Sequence, residues 1–423
     1  NKTLKNSFFT LIIRMIGVAT LFGLSTLMTR NIDEVYVGSY EFARVVLLTI
    51  ATFGLLGTEQ SILYFAGKLE AKNQTNQLRF VYFKMLKIIW ICSVTLLLFS
   101  FIIPESFLIS LGIKEALLNV LKKCLLILPF YTTTILSTET IRAYNKVTLS
   151  EWFRNIFKYA PIITGTVLII FEVVKVETLL DWYLYGFILL AVISFVVLQS
   201  LMGKNSKVET SAIASKEIFK VSYPMAISSF YTYLLMTIDI FLLAQFFNLH
   251  YTAYYAIAMK IMSILSMVIV GVNINYAPKI AVNYESKDFE SLNRNLKEAA
   301  KTIAFLNFVI GLVLLLGGKF FLSFFGENYT ESLSAYNILI VTQMFVSLFG
   351  MVPMYMNMTG KQQTFHKIMG FAVLVNIISN VTLIPKFNMV GAAVSYAVTV
   401  LFWNILVTYF CFKTDKVYLT LWK

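Results

Sequence analysis

Two histidines and three cysteines in 423 residues leave little material for metal or thiol chemistry. Cys92, Cys124 and Cys411 each lie inside an apolar run, in no metal-ligand spacing and in no disulfide framework. His250 and His366 stand alone, which reads as packing or interfacial placement. No HExxH, nucleophile elbow, P-loop or glycine-rich nucleotide loop occurs, so the chain is read neither as an ATPase nor as any other enzyme. No metal and no bound cofactor is expected. Charge is scarce as well: Asp, Glu, Lys and Arg make up 13% of the chain, against ~25% in soluble domains. Long polar segments are missing too. The longest, GKNSKVETSAIASKEIFK over 203–220, is too short for a soluble domain, and without long external loops a membrane glycosyltransferase or polymerase is disfavoured.

What is abundant is apolar. Hydrophobic residues make up 58% of the chain, with 37 Phe and 23 Tyr, a composition suited to lipid contact and to interfacial belts. A helical span needs about 20 such residues. Twelve windows qualify: 8–28, 40–67, 83–103, 117–140, 156–176 and 179–202, then 219–247, 252–277, 303–325, 333–358, 368–385 and 390–412. The expectation is an all-α, multi-pass membrane protein of twelve transmembrane helices. The 8–28 window reads as the first span, not as a cleaved signal. Lys and Arg concentrate in alternate connections, which predicts that both termini are cytoplasmic. The net charge of +13 is read as this loop bias and not as a nucleic-acid surface. The polar stretch marks two six-helix lobes, 1–203 and 219–423, with a cytoplasmic linker over 204–218 and a short cytoplasmic tail.

The two halves echo each other. The segment VGSYEFARVVLLTIATFGLLGTEQSILYFAGKLEAK, 37–72, has a counterpart over 252–287. At one constant offset Tyr40 meets Tyr255, Ala43 meets Ala258, Ala66 meets Ala281 and Glu70 meets Glu285. Copies of six spans enter the membrane from the same side, so parallel, pseudo-symmetric repeats are expected.

Charges at membrane depth cost ~2.5–3.5 kcal/mol on insertion scales and normally face a cavity or a partner. Arg14, Arg44 and Lys260 lie within spans one, two and eight. Each has a plain reading. Arg14 snorkels to the headgroups, Arg44 pairs with Glu41 three residues before it, and Lys260 is clamped by Asp239. Glu59 and Glu139 read as solvated helix ends. The sharper expectation is that Arg14, Arg44 and Lys260 converge on one cavity and hold an anion, for which a diphosphate is the natural candidate. Glu41, Glu59 and Asp239 are then candidates for ion coupling or charge pairing.

The opening IIRMIG, the LMTRNIDEVYVGSYEFARVVLLTIATFGLLGTEQSILYFAGK that follows, and the later SYPMAISSFYTYLLMTIDIFLLAQF, FLSFFGENYTES and LIPKFNMVGAAVSYAV resemble bacterial Wzx-like polysaccharide flippases. These belong to the multidrug/oligosaccharidyl-lipid/polysaccharide (MOP) exporter superfamily, which includes the MATE-like transporters. The resemblance spans the chain and implies a V-shaped, two-lobe transporter, a monomer, in the bacterial cytoplasmic (inner) membrane. It implies a flippase that carries an undecaprenyl-diphosphate oligosaccharide to the outer leaflet by alternating access, for O-antigen or capsule-like polysaccharide biosynthesis. Membrane lipids, a polysaccharide polymerase and a chain-length regulator are the implied partners. Coupling would be to a proton or sodium gradient or to the membrane potential. Related lipid II flippases carry basic cavity residues on spans one, two and eight. The resemblance therefore assigns diphosphate contact to Arg14, Arg44 and Lys260, with a lysine where an arginine is expected. Those flippases have two further spans, for which this chain has no room. The alternative within the superfamily is a cation-coupled multidrug or small-cation antiporter, which would want acidic groups in the first lobe.

Overall fold

The computed structural model describes residues 2–110, 113–202 and 213–419, and among them every regular element is helical. The first helices are α1 (Lys2–Asn31), α2 (Glu34–Leu55), α3 (Thr58–Glu70), α4 (Leu78–Ile102), α5 (Glu105–Ser110), α6 (Glu115–Ala143), α7 (Val147–Asn155), α8 (Ala160–Ile170) and α9 (Leu179–Leu201). Then come α10 (Ser215–Phe246), α11 (Leu249–Glu285), α12 (Phe289–Leu316), α13 (Gly318–Ser323), α14 (Leu333–Ser347), α15 (Val352–Met358) and α16 (Gln362–Asp415). Two compact units emerge, Asn1–Tyr233 and Leu234–Lys423, so the boundary falls inside α10. Residues 204–212 of the expected linker lie outside the described residues, and its last four residues, 215–218, already belong to α10.

Nine helices among the described residues are long and apolar enough to span a membrane, and a tenth forms if the pair Glu327–Ser347 and Val352–Met358, bent by 45°, counts as one. The twelve-span expectation differs for local reasons. The 156–176 window yields only the short α8, behind a break at Ile156. Windows eleven and twelve run together as α16, whose Asn388 (φ 51°, ψ −130°) is non-helical and divides it into two arms. Window two is not one helix. Leu56 and Gly57 both take the left-handed conformation, at φ 49° and 77°, and separate α2 from α3. Glycine is required there, because a Cβ on Gly57 would stand 2.2 Å from the Ser222 carbonyl oxygen.

In the first unit, α6 is the central post. It packs against α2, α3, α4, α7 and α9. Lipid provides little hydrophobic drive between helices, so small residues and hydroxyls make the close contacts. Thr132, Thr133, Thr134 and Thr140 donate back to carbonyls of the preceding turn, which keeps their hydroxyls satisfied inside the bundle. Tyr82 of α4 meets Ser137 at 2.9 Å, and Trp90 donates to Thr133 at 3.0 Å. Gly54 lets α2 approach Ser93 and Thr132. Along α10, α3 is held by polar pairs: Ser61 with Ser222 at 2.6 Å and Lys68 with Glu217 at 2.5 Å.

In the second unit, α11 packs against α12, α14 and α15, and α14 against α16. The repeat predicted from sequence is visible in burial. Tyr40 and Tyr255 are both buried, and Ala43 and Ala258 are both fully enclosed. One difference between the copies is that α11 runs unbroken where the first copy turns at Leu56–Gly57.

Candidate functional site

A cavity of about 650 Å³ opens inside the first unit. Its position follows from two breaks. The turn at Leu56–Gly57 brings the start of α3, with Glu59 and Gln60, to the wall. The end of α7 and the 3-10 turn that follows bring Phe153, Arg154, Lys158 and Tyr159. From α2 come Tyr40 and Arg44, and from α6 come Tyr131, Glu139 and Arg142.

The electrostatics are mixed but lean positive. Arg44, Arg142, Arg154 and Lys158 line the space against two carboxylates, Glu59 and Glu139. Arg44 is anchored by Glu41, whose carboxylate accepts from its Nε at 2.8 Å and is itself 1% exposed. Glu139 sits between two guanidinium groups, 3.0 Å from Arg154 and 3.7 Å from Arg142. It is therefore no solvated helix end, as the sequence had suggested, but a buried counter-ion that fixes two arginines. With Glu41 included, cations still outnumber carboxylates. The Lys158 Nζ lies 4.7 Å from the ring centroid of Tyr159, a cation–π contact that keeps the ammonium at the wall. Five tyrosines line the cavity as well: Tyr40, Tyr131, Tyr159, Tyr183 and Tyr233. They are braced by edge-to-face contacts, Tyr40 on Tyr183 at 4.9 Å and Tyr131 on Phe187 at 4.7 Å.

Of the cations expected from sequence, Arg44 lines this cavity. Arg14 instead makes a bidentate pair with Glu151 of α7, Nε to one oxygen at 3.0 Å and a terminal nitrogen to the other at 2.8 Å. Asn155 donates to the same carboxylate at 2.8 Å. Arg14 thus holds α1 to α7 and is not simply snorkelling. Lys260 is buried in α11, within the second unit. Arg142, Arg154 and Lys158 were missed as site residues, because by sequence they count as loop charges. The signal available was the short polar stretch RAYNKVTLSEWFRNIFKY, whose middle forms the amphipathic α7.

The second unit holds a separate polar cluster around Asp239, which is 1% exposed. Its Oδ1 accepts from Asn380 at 2.6 Å and from Asn376 at 3.4 Å, and its Oδ2 accepts from the Tyr255 hydroxyl at 3.4 Å. Asn376 also donates to Thr399 at 3.1 Å. The amide oxygens of Asn376 and Asn380 are buried without a hydrogen-bond partner. A buried carboxylate with two orphaned amide oxygens and a hydroxyl is an oxygen donor set suited to a hard cation. No cluster of three or more His, Cys, Asp or Glu suited to a metal occurs among the described residues.

An apolar groove of about 710 Å³ lies between α8 and α9, lined by Phe153, Phe157, Pro161, Trp182 and Leu189 among others. Phe153 belongs to both the groove and the charged cavity.

Residues 224–382 match the MatE family. No curated protein matches the chain. Solved structures match over almost its full length. The lipid II flippase MurJ in an inward closed conformation is 15% identical, with a TM-score of 0.74, over 97% of this chain and 87% of that one. The MATE multidrug transporter DinF-BH is 18% identical, with a TM-score of 0.65, over 98% and 96%. A MOP superfamily transporter from Pyrococcus furiosus, for which the reverse polarity of the binding pocket suggests a different function, is 15% identical, with a TM-score of 0.64, over 95% and 94%. At these identities the likeness is one of fold: an all-helical membrane protein with the fold of MOP and MATE transporters.

Proposed function

We propose that this chain, built on a transporter fold, moves a lipid-linked anion of the undecaprenyl-diphosphate oligosaccharide type between membrane leaflets. The observation that carries the reading is the excess of cations, Arg44, Arg142, Arg154 and Lys158, in one tyrosine-walled cavity. Guanidinium groups match phosphate oxygens in pairs, and Lys158 adds a point charge. Glu41 and Glu139 hold three of these cations in place, so little ordering remains for the substrate to impose. The groove beyond Phe153 suits an isoprenoid chain. The setting is the bacterial cytoplasmic membrane, and the reading extends to alternating access and to surface polysaccharide assembly. Arg14 remains part of the proposal as the brace of α7, and Lys260 as a buried cation of the second unit.

Asp239, Asn376, Asn380 and Thr399 would hold a coupling cation, and their small all-oxygen set favours sodium. An outward step of the negative substrate also gains ~2.3 kcal/mol per charge per 100 mV from an inside-negative potential.

The test is reconstitution in liposomes with fluorescent undecaprenyl-diphosphate oligosaccharide, following leaflet exposure. Wild type is expected to transfer it, and Arg44→Ala, Arg154→Ala and Lys158→Ala to lose most of that rate while remaining folded. Equal transfer by all variants overturns the assignment of the cavity. The fold shared with multidrug transporters keeps a second reading, a cation-coupled drug antiporter. Exchange of an organic cation for sodium or protons, with no lipid transfer, would establish it.

A further inference from the structure

Two carboxylates hold cations of the first-unit cavity, and they do so differently. Glu41 is 1% exposed and reaches Arg44 from within the same helix. Glu139 is itself part of the cavity wall, as are both of its partners. It meets Arg154, from the last turn of α7, at 3.0 Å and Arg142, from its own helix, at 3.7 Å. Those two arginines are well exposed, with 42% and 37% of their side chains open, against 12% for Glu139. Glu59, the other carboxylate on the wall, accepts instead from the Ser229 hydroxyl at 3.0 Å. Glu139 thus occupies the position between two guanidinium groups that an incoming anion needs.

The contact is one that can open. The position of α7 has a second support in the bidentate pair of Glu151 with Arg14, to which Asn155 adds a third donor. The 3.7 Å contact to Arg142 is long for an ion pair. A guanidinium group binds carboxylate and phosphate oxygens with the same paired geometry, so the two compete for it. A diphosphate has more charge and more oxygens than one carboxylate and takes the arginines over. When it leaves, Glu139 takes them back. The empty protein needs this exchange, because a cavity that closes around bare cations must desolvate them without a partner.

We infer that Glu139 is the protein's own stand-in for the anionic substrate: it neutralises Arg142 and Arg154 while the cavity is empty and yields them when a diphosphate enters. The inference rests on the lipid-diphosphate reading above and adds the return step to it. A loaded cavity closes with the substrate as counter-ion, and an emptied one closes with Glu139. Glu139 therefore weakens substrate binding and speeds the return of the empty protein. A residue that only fixed the arginines in place would strengthen binding, so the two roles predict opposite changes.

The experiment has a binding arm and a transport arm, both on the full-length protein. The binding probe is dimethyl diphosphate with one methyl ester on each phosphorus, a soluble diester whose charge is fixed near neutral pH. Wild type in detergent is expected to bind it. Glu139→Gln keeps the size of the side chain and removes the competing charge, and is expected to bind the probe about tenfold more tightly. Transport is followed as an initial rate in liposomes, with fluorescent undecaprenyl-diphosphate oligosaccharide in one leaflet. The receiving leaflet is either free of substrate or supplied with unlabelled substrate. Without substrate there, the protein returns empty, and Glu139→Gln is expected to be about tenfold slower than wild type. With substrate there, it returns loaded, and the variant is expected to approach the wild-type rate. Thermal unfolding confirms that the variant is folded. If Glu139→Gln does not fold, Glu139→Asp carries the same test, since its shorter reach to the arginines predicts smaller changes in the same directions. Equal or weaker probe binding by the variant overturns the inference and leaves the flippase reading intact, because Glu139 then only fixes the arginines. Equal slowing with and without substrate in the receiving leaflet overturns it as well. If wild type neither binds the diphosphate nor transfers the lipid, the flippase reading itself falls, and the stand-in with it.

Discussion

Arg44 and Glu41 face each other one helical turn apart on α2, with Nε and a terminal guanidinium nitrogen each 2.8 Å from the same carboxylate oxygen. The two partners are not equivalent. Glu41 is 1% exposed, whereas a third of the Arg44 side chain is open, toward the cavity. The carboxylate is the fixed anchor, and the guanidinium's other terminal nitrogen lies outside the pair.

That asymmetry makes the two truncations behave differently. Glu41→Gln leaves Arg44 without its counter-charge and is expected to lower stability on the order of 3 kcal/mol. Arg44→Ala takes the guanidinium away from a carboxylate that is 1% exposed, and its stability loss should be at least as large. Arg44→Lys keeps the charge and should preserve most of the stability while losing substrate affinity, because the paired geometry is gone. Thermal unfolding in detergent, alongside lipid binding, separates the two effects.

Arg14 and Glu151 are predicted to act through structure. The pair ties α1 to α7, which carries Arg154 to the cavity wall. Arg14→Ala should reduce transport by displacing α7, and it should also lower the unfolding temperature. Swapping both residues, Arg14→Glu with Glu151→Arg, should recover much of the stability. If Arg14→Ala abolishes lipid binding with no change in unfolding, Arg14 touches the substrate and the bracing role is wrong.

Gly57 is expected to tolerate no side chain. Alanine there meets both a positive φ and the Ser222 backbone, so Gly57→Ala should destabilise by more than ~1 kcal/mol. Gly67→Ala, where a Cβ would meet nothing, is the control and should be close to neutral. A neutral Gly57→Ala would show that the turn relaxes.

The Asp239 cluster predicts ion-dependent stability. Sodium at a hundred times its dissociation constant should stabilise wild type by about 2.7 kcal/mol relative to choline. Asp239→Asn and Asn380→Ala should abolish the difference. A sodium effect that survives in Asp239→Asn places the ion elsewhere.

Much was legible in the linear chain. The apolar windows gave the class and the approximate helices, because a helix in lipid must be apolar along its whole length. The i, i+3 spacing of Glu41 and Arg44 gave their pairing, because that contact is made within one helix. The repeat was legible too, through Tyr40 and Tyr255 and through Ala43 and Ala258, positions where burial restricts the residue type.

What the sequence could not show was every contact made between helices. Arg14 lies 137 residues from Glu151, and no local pattern couples them. Arg142, Arg154 and Lys158 read as loop cations until the end of α6, the end of α7 and the 3-10 turn after it placed them on the cavity wall. Glu139 read as a solvated end until α6 and α7 enclosed it. By itself the sequence determined that this chain lies in a membrane as helices carrying a few costly charges, since hydropathy and helix spacing act over neighbouring residues. The tertiary structure alone decided which of those charges neutralise one another and which line a cavity, since that depends on distances between helices far apart in the chain.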